Sequence, residues 1–300
     1  MSTLYEFSLT GHESFAFWPT VWSHGWCELP PFAVSPGDQT LERILELPDG
    51  IPVRLLLKGN NNEVEVAVET RRTLSEGDLK FIGITVRHIL AMDADLSSLH
   101  ELVKAEPEFH WIATTKAGRL LRSPTVFEDL VKTLCTTNTT WKQTRNMVRR
   151  LCESLGISFA EHRNTFPGPS AIAGSSEDVL KAAGLGYRAP YLLNLAICAA
   201  NGELDVEGWG HSDVSSEKLA RAMARVRGIG PYASANMLRV LGRTDHLYVE
   251  NWMIRNFSIK RNGGKPATSS DLGQYYSRFG AWRGIMLWLD TTNMPPTGSD

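Results

Sequence analysis

The stretch Val226-Arg227-Gly228-Ile229-Gly230-Pro231-Tyr232-Ala233 decides how this chain is read. A helix over 216–226 ends at Gly228, the chain turns, and Gly230-Pro231 opens the next helix. The two glycines can adopt positive φ and bring their backbone N–H groups close to an outside ligand. Proline's fixed φ suits the first residue of the second helix. An exposed helix N-terminus, with Gly228, Ile229 and Gly230 leading into it, can bind a phosphate without reading sequence. A plain turn between two helices has the same local grammar. The neighbouring sequence must choose between them.

Working outward, the periodicity on both sides of the hairpin is that of helices. Helices are predicted near 123–136, 141–155, 176–183, 187–201, 215–226, 231–241, 250–259 and 270–289, with Ser123-Pro124 opening the first. Before residue 75 the pattern changes to two-residue alternation, at 41–47, 53–57 and 64–68, with Gly59-Asn60-Asn61-Asn62 as a turn between strands. A helix near 77–92 caps that sheet. The fold class expected is α+β: an antiparallel sheet domain with a helix over 1–95, an all-helical domain over 96–294, and a polar tail over 295–300.

The chain is 42% hydrophobic and 21% charged, which is ordinary for a globular protein with a sizeable core. Its net charge of −2 and pI near 6.5 argue against a surface that is basic all over, but leave room for one basic face. The four cysteines, Cys27, Cys135, Cys152 and Cys198, form no Cys-x-x-Cys pair and no zinc spacing, and Cys135 and Cys152 read as buried thiols. No metal and no cofactor are implied. No basic-then-apolar leader is visible, and no apolar run approaches the roughly 18–20 residues of a membrane span, so no membrane partner is expected. A cytoplasmic monomer, nucleoid-associated if bacterial, is the expectation.

The hairpin and its sequel resemble the helix-hairpin-helix DNA glycosylases. Gly228-Ile-Gly-Pro-Tyr-Ala-Ser-Ala-Asn-Met-Leu-Arg-Val-Leu-Gly242 leads into Asp245-His-Leu-Tyr-Val-Glu-Asn-Trp-Met-Ile-Arg255 at the spacing from hairpin to catalytic carboxylate in that family. Three more stretches look most like the 8-oxoguanine branch, with the alkyladenine branch of the superfamily kept open by the aromatic pocket: Gly118-Arg-Leu-Leu-Arg-Ser-Pro124 with Leu134-Cys-Thr-Thr-Asn-Thr-Thr140, Asn146-Met-Val-Arg-Arg-Leu-Cys152, and Gly184-Leu-Gly-Tyr-Arg-Ala-Pro-Tyr191. Together they cover about 115–290 in family order. The iron–sulfur loop of some relatives is not present, since no cysteine follows Cys198.

The resemblance implies duplex DNA containing a damaged base as partner, and a nucleotide turned out of the stack into a pocket. Glu250 falls where the family has its catalytic aspartate, near the start of a helix whose positive end suits an anion. A one-residue shift would put Asn251 there instead. Tyr232 stands where bifunctional relatives carry a Schiff-base lysine, and a phenol forms no imine. The resemblance thus implies a monofunctional hydrolase without lyase activity. Asn138, Tyr187 and Arg188 correspond to the groups that hold the orphan base and fill the gap, and Gln143 replaces a second arginine. Tyr232, Trp252, Asn251 and Trp288 would line the base pocket, with Trp288 stacking on the extruded base. Gly284 stands where an oxoguanine reader has glutamine. Phe15, Phe17, Trp18, Trp22 and Trp26 are read as sheet core. The alternative readings are a hairpin protein that binds damaged DNA with weakened or no turnover, and a helical protein–protein module.

Overall fold

The computed structural model describes residues 3–292; residues 1–2 and 293–300, the expected polar tail among them, lie outside the described part. The N-terminal alternation builds β1 (Thr3–Thr10), a short helix α1 (Phe17–Val21), then β2 (Phe32–Ser35), β3 (Thr40–Glu46), β4 (Pro52–Asn60) and β5 (Glu63–Thr70). All pairs are antiparallel, in the order β1-β5-β4-β3-β2. The pairs Leu55–Val68, Leu57–Val66 and Leu41–Leu57 set one apolar face. Across the other face Arg54 lies between Glu42 (2.6 Å) and Glu69 (3.0 Å). The turn is tighter than the sequence reading, with Gly59 and Asn60 inside β4 and Asn61 at φ +54°. Gly59 is needed for packing instead: a Cβ there would lie 2.1 Å from Phe17.

α2 (Glu76–Ile89) starts with a reciprocal cap between Ser75 and Asp78 and buries Ile82, Val86 and Ile89. The helices α3 (Ser97–Lys104), α4 (His110–Thr115), α5 (Val126–Thr136) and α6 (Trp141–Leu155) follow, then a small hairpin of β6 (Ser158–Ala160) and β7 (Arg163–Asn164). The chain continues through α7 (Pro169–Ala173), α8 (Glu177–Ala182), α9 (Ala189–Ala200), α10 (Ser216–Met223), α11 (Pro231–Val240), α12 (Asn251–Arg261), α13 (Ser269–Ser277) and α14 (Arg283–Thr292). α3, α4, α7 and the hairpin were not predicted, being too short to show a period. Pro124 lies outside α5, whose cap is Thr125, accepting from the Glu128 N–H at 3.2 Å. The single helix expected over 270–289 is two. Gly280 (φ +54°) breaks it, and the Gly284 N–H bonds Thr244 O at 2.8 Å.

Two apolar cores result. One runs from the sheet face and α2 through α5, α6 and α9 to α11. The other joins α3 and α4 to α12, α13 and α14 around Phe109, Tyr276 and Phe279. The helical part that begins near residue 95 is therefore divided between both cores.

α5 is the element that joins sheet to cleft. Glu128 accepts both guanidinium N–H arms of Arg43 at 2.6 Å and the Lys132 ammonium at 2.7 Å, all three side chains buried. Burial alone would raise the Glu128 carboxyl; the Arg43 and Lys132 cations outweigh it and hold it at about 2. Beside it Asp129 accepts from Trp26 Nε1 (2.8 Å) and the Ser123 N–H (2.9 Å), and burial pushes it up to about 6. The far end of the helix carries Thr136 and leads to Thr137 and Asn138.

Candidate active site

The hairpin forms as predicted, with one difference. Gly228 has φ +94°, and a Cβ there would lie 2.8 Å from Tyr191. Gly230 is extended (φ −92°, ψ −177°), so of the two glycines Gly228 alone uses positive φ; at Gly230 glycine leaves open space before α11. Ile229 is buried and anchors the turn, its N–H bonded to Val226 O at 3.0 Å. Pro231 has no N–H, and those of Tyr232 and Ala233 have no carbonyl of their own helix within reach. The turn thus leaves an open helix N-terminus, a geometry in which free N–H groups can meet an anion.

α11 leads through the 242–249 loop to Glu250. That loop is pinned from two sides: Ser216 Oγ donates to Asp245 Oδ1 (2.5 Å), and Arg283 Nε donates to Asp245 O (2.7 Å). Gly284 is where α14 presses on the same loop; a Cβ would lie 2.2 Å from His246 O. A side chain reading a base from that position is sterically excluded.

Glu250 is the N-cap residue of α12, yet its side chain makes no cap bond. Among the described residues it makes no ion pair either. It lines an open cleft of about 580 Å³ together with Tyr248, Tyr232, Gly228, Gly230, Asn138 and Tyr187. Tyr232 crosses the cleft floor with its hydroxyl 3.2 Å from Thr136 Oγ1. Asn138, at φ +46°, donates to the Tyr187 hydroxyl at 3.4 Å, and Tyr187 is 55% exposed at the rim. Backbone clamp, carboxylate and exposed aromatic therefore share one cavity.

No protein-family model matches the chain, and no curated protein matches it in sequence. Solved structures do match. The 3-methyladenine DNA-glycosylase from Archaeoglobus fulgidus superposes with a TM-score of 0.76 at 16% identity, over 95% of this chain and 97% of that one. The chain has the helix-hairpin-helix DNA glycosylase fold. The 8-oxoguanine glycosylase/lyase of Clostridium acetobutylicum, in complex with dsDNA containing cytosine opposite 8-oxoG, gives a TM-score of 0.70 at 14% identity, over 97% of each chain. The 3-methyladenine DNA glycosylase of Schizosaccharomyces pombe, bound to abasic DNA, gives 0.53 at 17% identity, over 69% of this chain and all of that one. At such identities the likeness is one of fold.

Within this glycosylase fold several predicted residues are placed differently from the sequence reading. Arg188 is buried rather than projecting. It donates to Thr137 O and to Thr137 Oγ1 (3.1 Å), and its guanidinium lies 4.5 Å from the Tyr187 ring centre. It shapes the loop that carries Asn138. Gln143 is a cap: its Oε1 accepts from the Thr140 N–H (3.2 Å) and its own N–H bonds Thr140 Oγ1 (3.3 Å), as at any reciprocally capped helix start. Asn251 is exposed in the first turn of α12, outside the cleft lining, while Trp252 stands edge-on to Trp288 at 6.2 Å. Trp288 lies behind the lining, under Arg239, 4.5 Å from its guanidinium. In the aromatic cluster Phe15, Phe17 and Trp26 are core, and Trp18 and Trp22 are half-buried.

The sequence reading missed Arg239 and Tyr248. Arg239 is buried, donates to Asn236 Oδ1 at 2.7 Å, and is lowered to about 10 by that burial, against the opposing pull of Glu250. Tyr248 is pushed up by burial and by the Glu250 charge. A signal existed: Tyr232, Asn236 and Arg239 recur at helical spacing as one polar stripe on the otherwise apolar α11.

Proposed function

We propose that the chain is a DNA N-glycosylase that hydrolyses the bond between a damaged purine base and its sugar, without lyase activity. The single supporting observation is Glu250: an acid in the cleft behind a phosphate-binding hairpin, bonded to nothing that would explain it structurally. In this reading the hairpin N–H groups hold a phosphate of duplex DNA. Tyr187, supported by Asn138, fills the space left by the everted nucleotide. The Glu250 carboxylate stabilises positive charge at C1′ and takes a proton from the attacking water. The glycosylases of like fold, with 3-methyladenine or 8-oxoguanine as their named bases, support this class of substrate.

Among the described residues, the cleft lining contains no lysine. Lys132 is wholly buried on Glu128, and Lys260 donates to Asp290 O. No amine of the described lining is placed to form an imine, which supports hydrolysis as the complete reaction.

Base release from damaged duplexes, with alkali added afterwards, tests the proposal. Glu250→Gln is expected to lower single-turnover release by about 10³-fold while leaving duplex binding and Tm unchanged. Strand scission before alkali would refute the monofunctional part. Tight binding without release of any base by the wild type would favour the damage-binding alternative.

A further inference from the structure

Tyr191 lies in the first turn of α9, half-buried, and lines the cleft, where the reading above gives it no role. It meets both working parts of that cleft. One is the hairpin: a Cβ on Gly228 would lie 2.8 Å from Tyr191 Cβ and 3.0 Å from its Cγ, so the bare glycine backbone rests on this side chain. The guanidinium carbon of Arg227 lies 5.3 Å from the Tyr191 ring centre. The other part is Tyr187, whose ring stands edge-on to Tyr191 with centres 6.5 Å apart and planes at 74°. That is a favourable geometry for an aromatic pair.

Arg227 and Tyr187 both need such a support. Arg227 is exposed, directly precedes Gly228, and makes no ion pair among the described residues. An aromatic face holds a guanidinium without neutralising it, so the charge can still answer a phosphate. Tyr187, 55% exposed, is held by Asn138 at 3.4 Å, by Arg188 4.5 Å from its ring centre, and by Tyr191. The Asn138 contact is near the limit of a hydrogen bond, so the ring's orientation rests mainly on the other two.

We propose that Tyr191 is a positioning residue that sets the Arg227 cation and the Tyr187 ring at a fixed separation, so that the phosphate held at the hairpin lies at a set distance from the everted nucleotide. The inference rests on the glycosylase reading and adds Arg227 to its phosphate clamp. Everting a nucleotide costs a few kcal/mol of stacking and pairing, which the inserted ring offsets only where the gap opens. A clamp and a wedge on separate supports could shift against each other, leaving the wedge against an intact stack. One ring shared by both removes that freedom. The contacts to Arg227, Gly228 and Tyr187 are made by ring and Cβ atoms, so the Tyr191 hydroxyl is dispensable.

The test takes two readings on the full chain. One is affinity for undamaged duplex at low salt. The other is the rate, at saturating protein, of the fluorescence rise from 2-aminopurine placed opposite a tetrahydrofuran abasic site, which reports loss of stacking by the orphan base. Arg227→Gln should weaken duplex affinity by about threefold to fivefold and leave the rate unchanged. Tyr187→Ala should slow the rise by about tenfold and leave duplex affinity unchanged. Tyr191→Leu should do both, and Tyr191→Phe neither.

Because the ring acts through its neighbours, Tyr191→Leu should cost no further affinity in the Arg227→Gln chain and no further rate in the Tyr187→Ala chain. Tyr191→Met is the second variant, held to the same outcomes, if Tyr191→Leu does not fold. Additive losses in either double variant overturn the inference and leave the glycosylase reading standing. So does a Tyr191→Leu chain that matches wild type in both readings, or a Tyr191→Phe chain that loses as much as Tyr191→Leu. A wild type that gives no fluorescence rise and binds the abasic duplex no better than the undamaged one removes both.

Discussion

The junction between sheet and α5 and the cleft behind the hairpin are both rich in charged and polar groups, and they handle them in opposite ways. At the junction Arg43, Glu128 and Lys132 close on one another, each wholly buried and each bonded. In the cleft Glu250 has no bonded partner among the described residues, the α11 N-terminus is open, and Tyr187 faces solvent. Fold alone explains the first arrangement, because unpaired charges could not persist there. It does not explain the second, where groups are left open, as the proposed DNA-binding role would require. Polar saturation thus separates what holds the molecule together from what it does.

The sharpest way to break this contrast is to unbalance the junction. Glu128→Gln leaves Arg43 and Lys132 buried without their anion and should destabilise the fold by about 3–5 kcal/mol, measured by denaturant unfolding. Glu250→Gln, also a neutralised carboxylate, should leave the same measurement unchanged. A similar loss at both sites would erase the distinction.

Acid should then find the junction first. The folded pKa of Glu128 lies below its unfolded value, so its contribution is present above about 4.5 and is lost as pH falls toward about 2. The expected loss is about 3 kcal/mol across that window. Asp129 acts in the opposite sense and with similar size: its folded pKa near 6 means that stability falls by about 3 kcal/mol as pH rises from about 4 to 6. Unfolding free energy measured from pH 2 to 7 in wild type and Glu128→Gln should differ in slope chiefly below pH 4.5.

The smallest effects separate the two hairpin glycines. Gly228→Ala forces a Cβ at φ +94° against Tyr191 and should cost about 1–3 kcal/mol of stability. Gly230→Ala meets open space and an ordinary φ, so its stability should change by less than about 0.5 kcal/mol. Its methyl group stands where a phosphate would approach, and duplex affinity at low salt should fall several-fold. Equal loss of stability at both positions would show that the turn is purely structural.

Much of this was legible in the chain itself. Two-residue alternation marked the central strands, because a register shift would turn Leu55 and Leu57 to solvent. Gly228 and Gly230-Pro231 marked the hairpin, because φ preferences and a missing N–H act within a few residues. The spacing from there to Glu250 placed an acid beside the clamp. Direction and partnership were decided only by tertiary structure. Arg188 turns inward because Thr137, far away in sequence, offers it acceptors. Gly284 serves packing because the loop at His246 leaves no room for a Cβ, and Arg239 lies over Trp288 across elements no local pattern connects. Backbone preference is a property of neighbours in sequence, whereas the fate of a polar side chain depends on which distant groups the fold brings within about 3 Å of it.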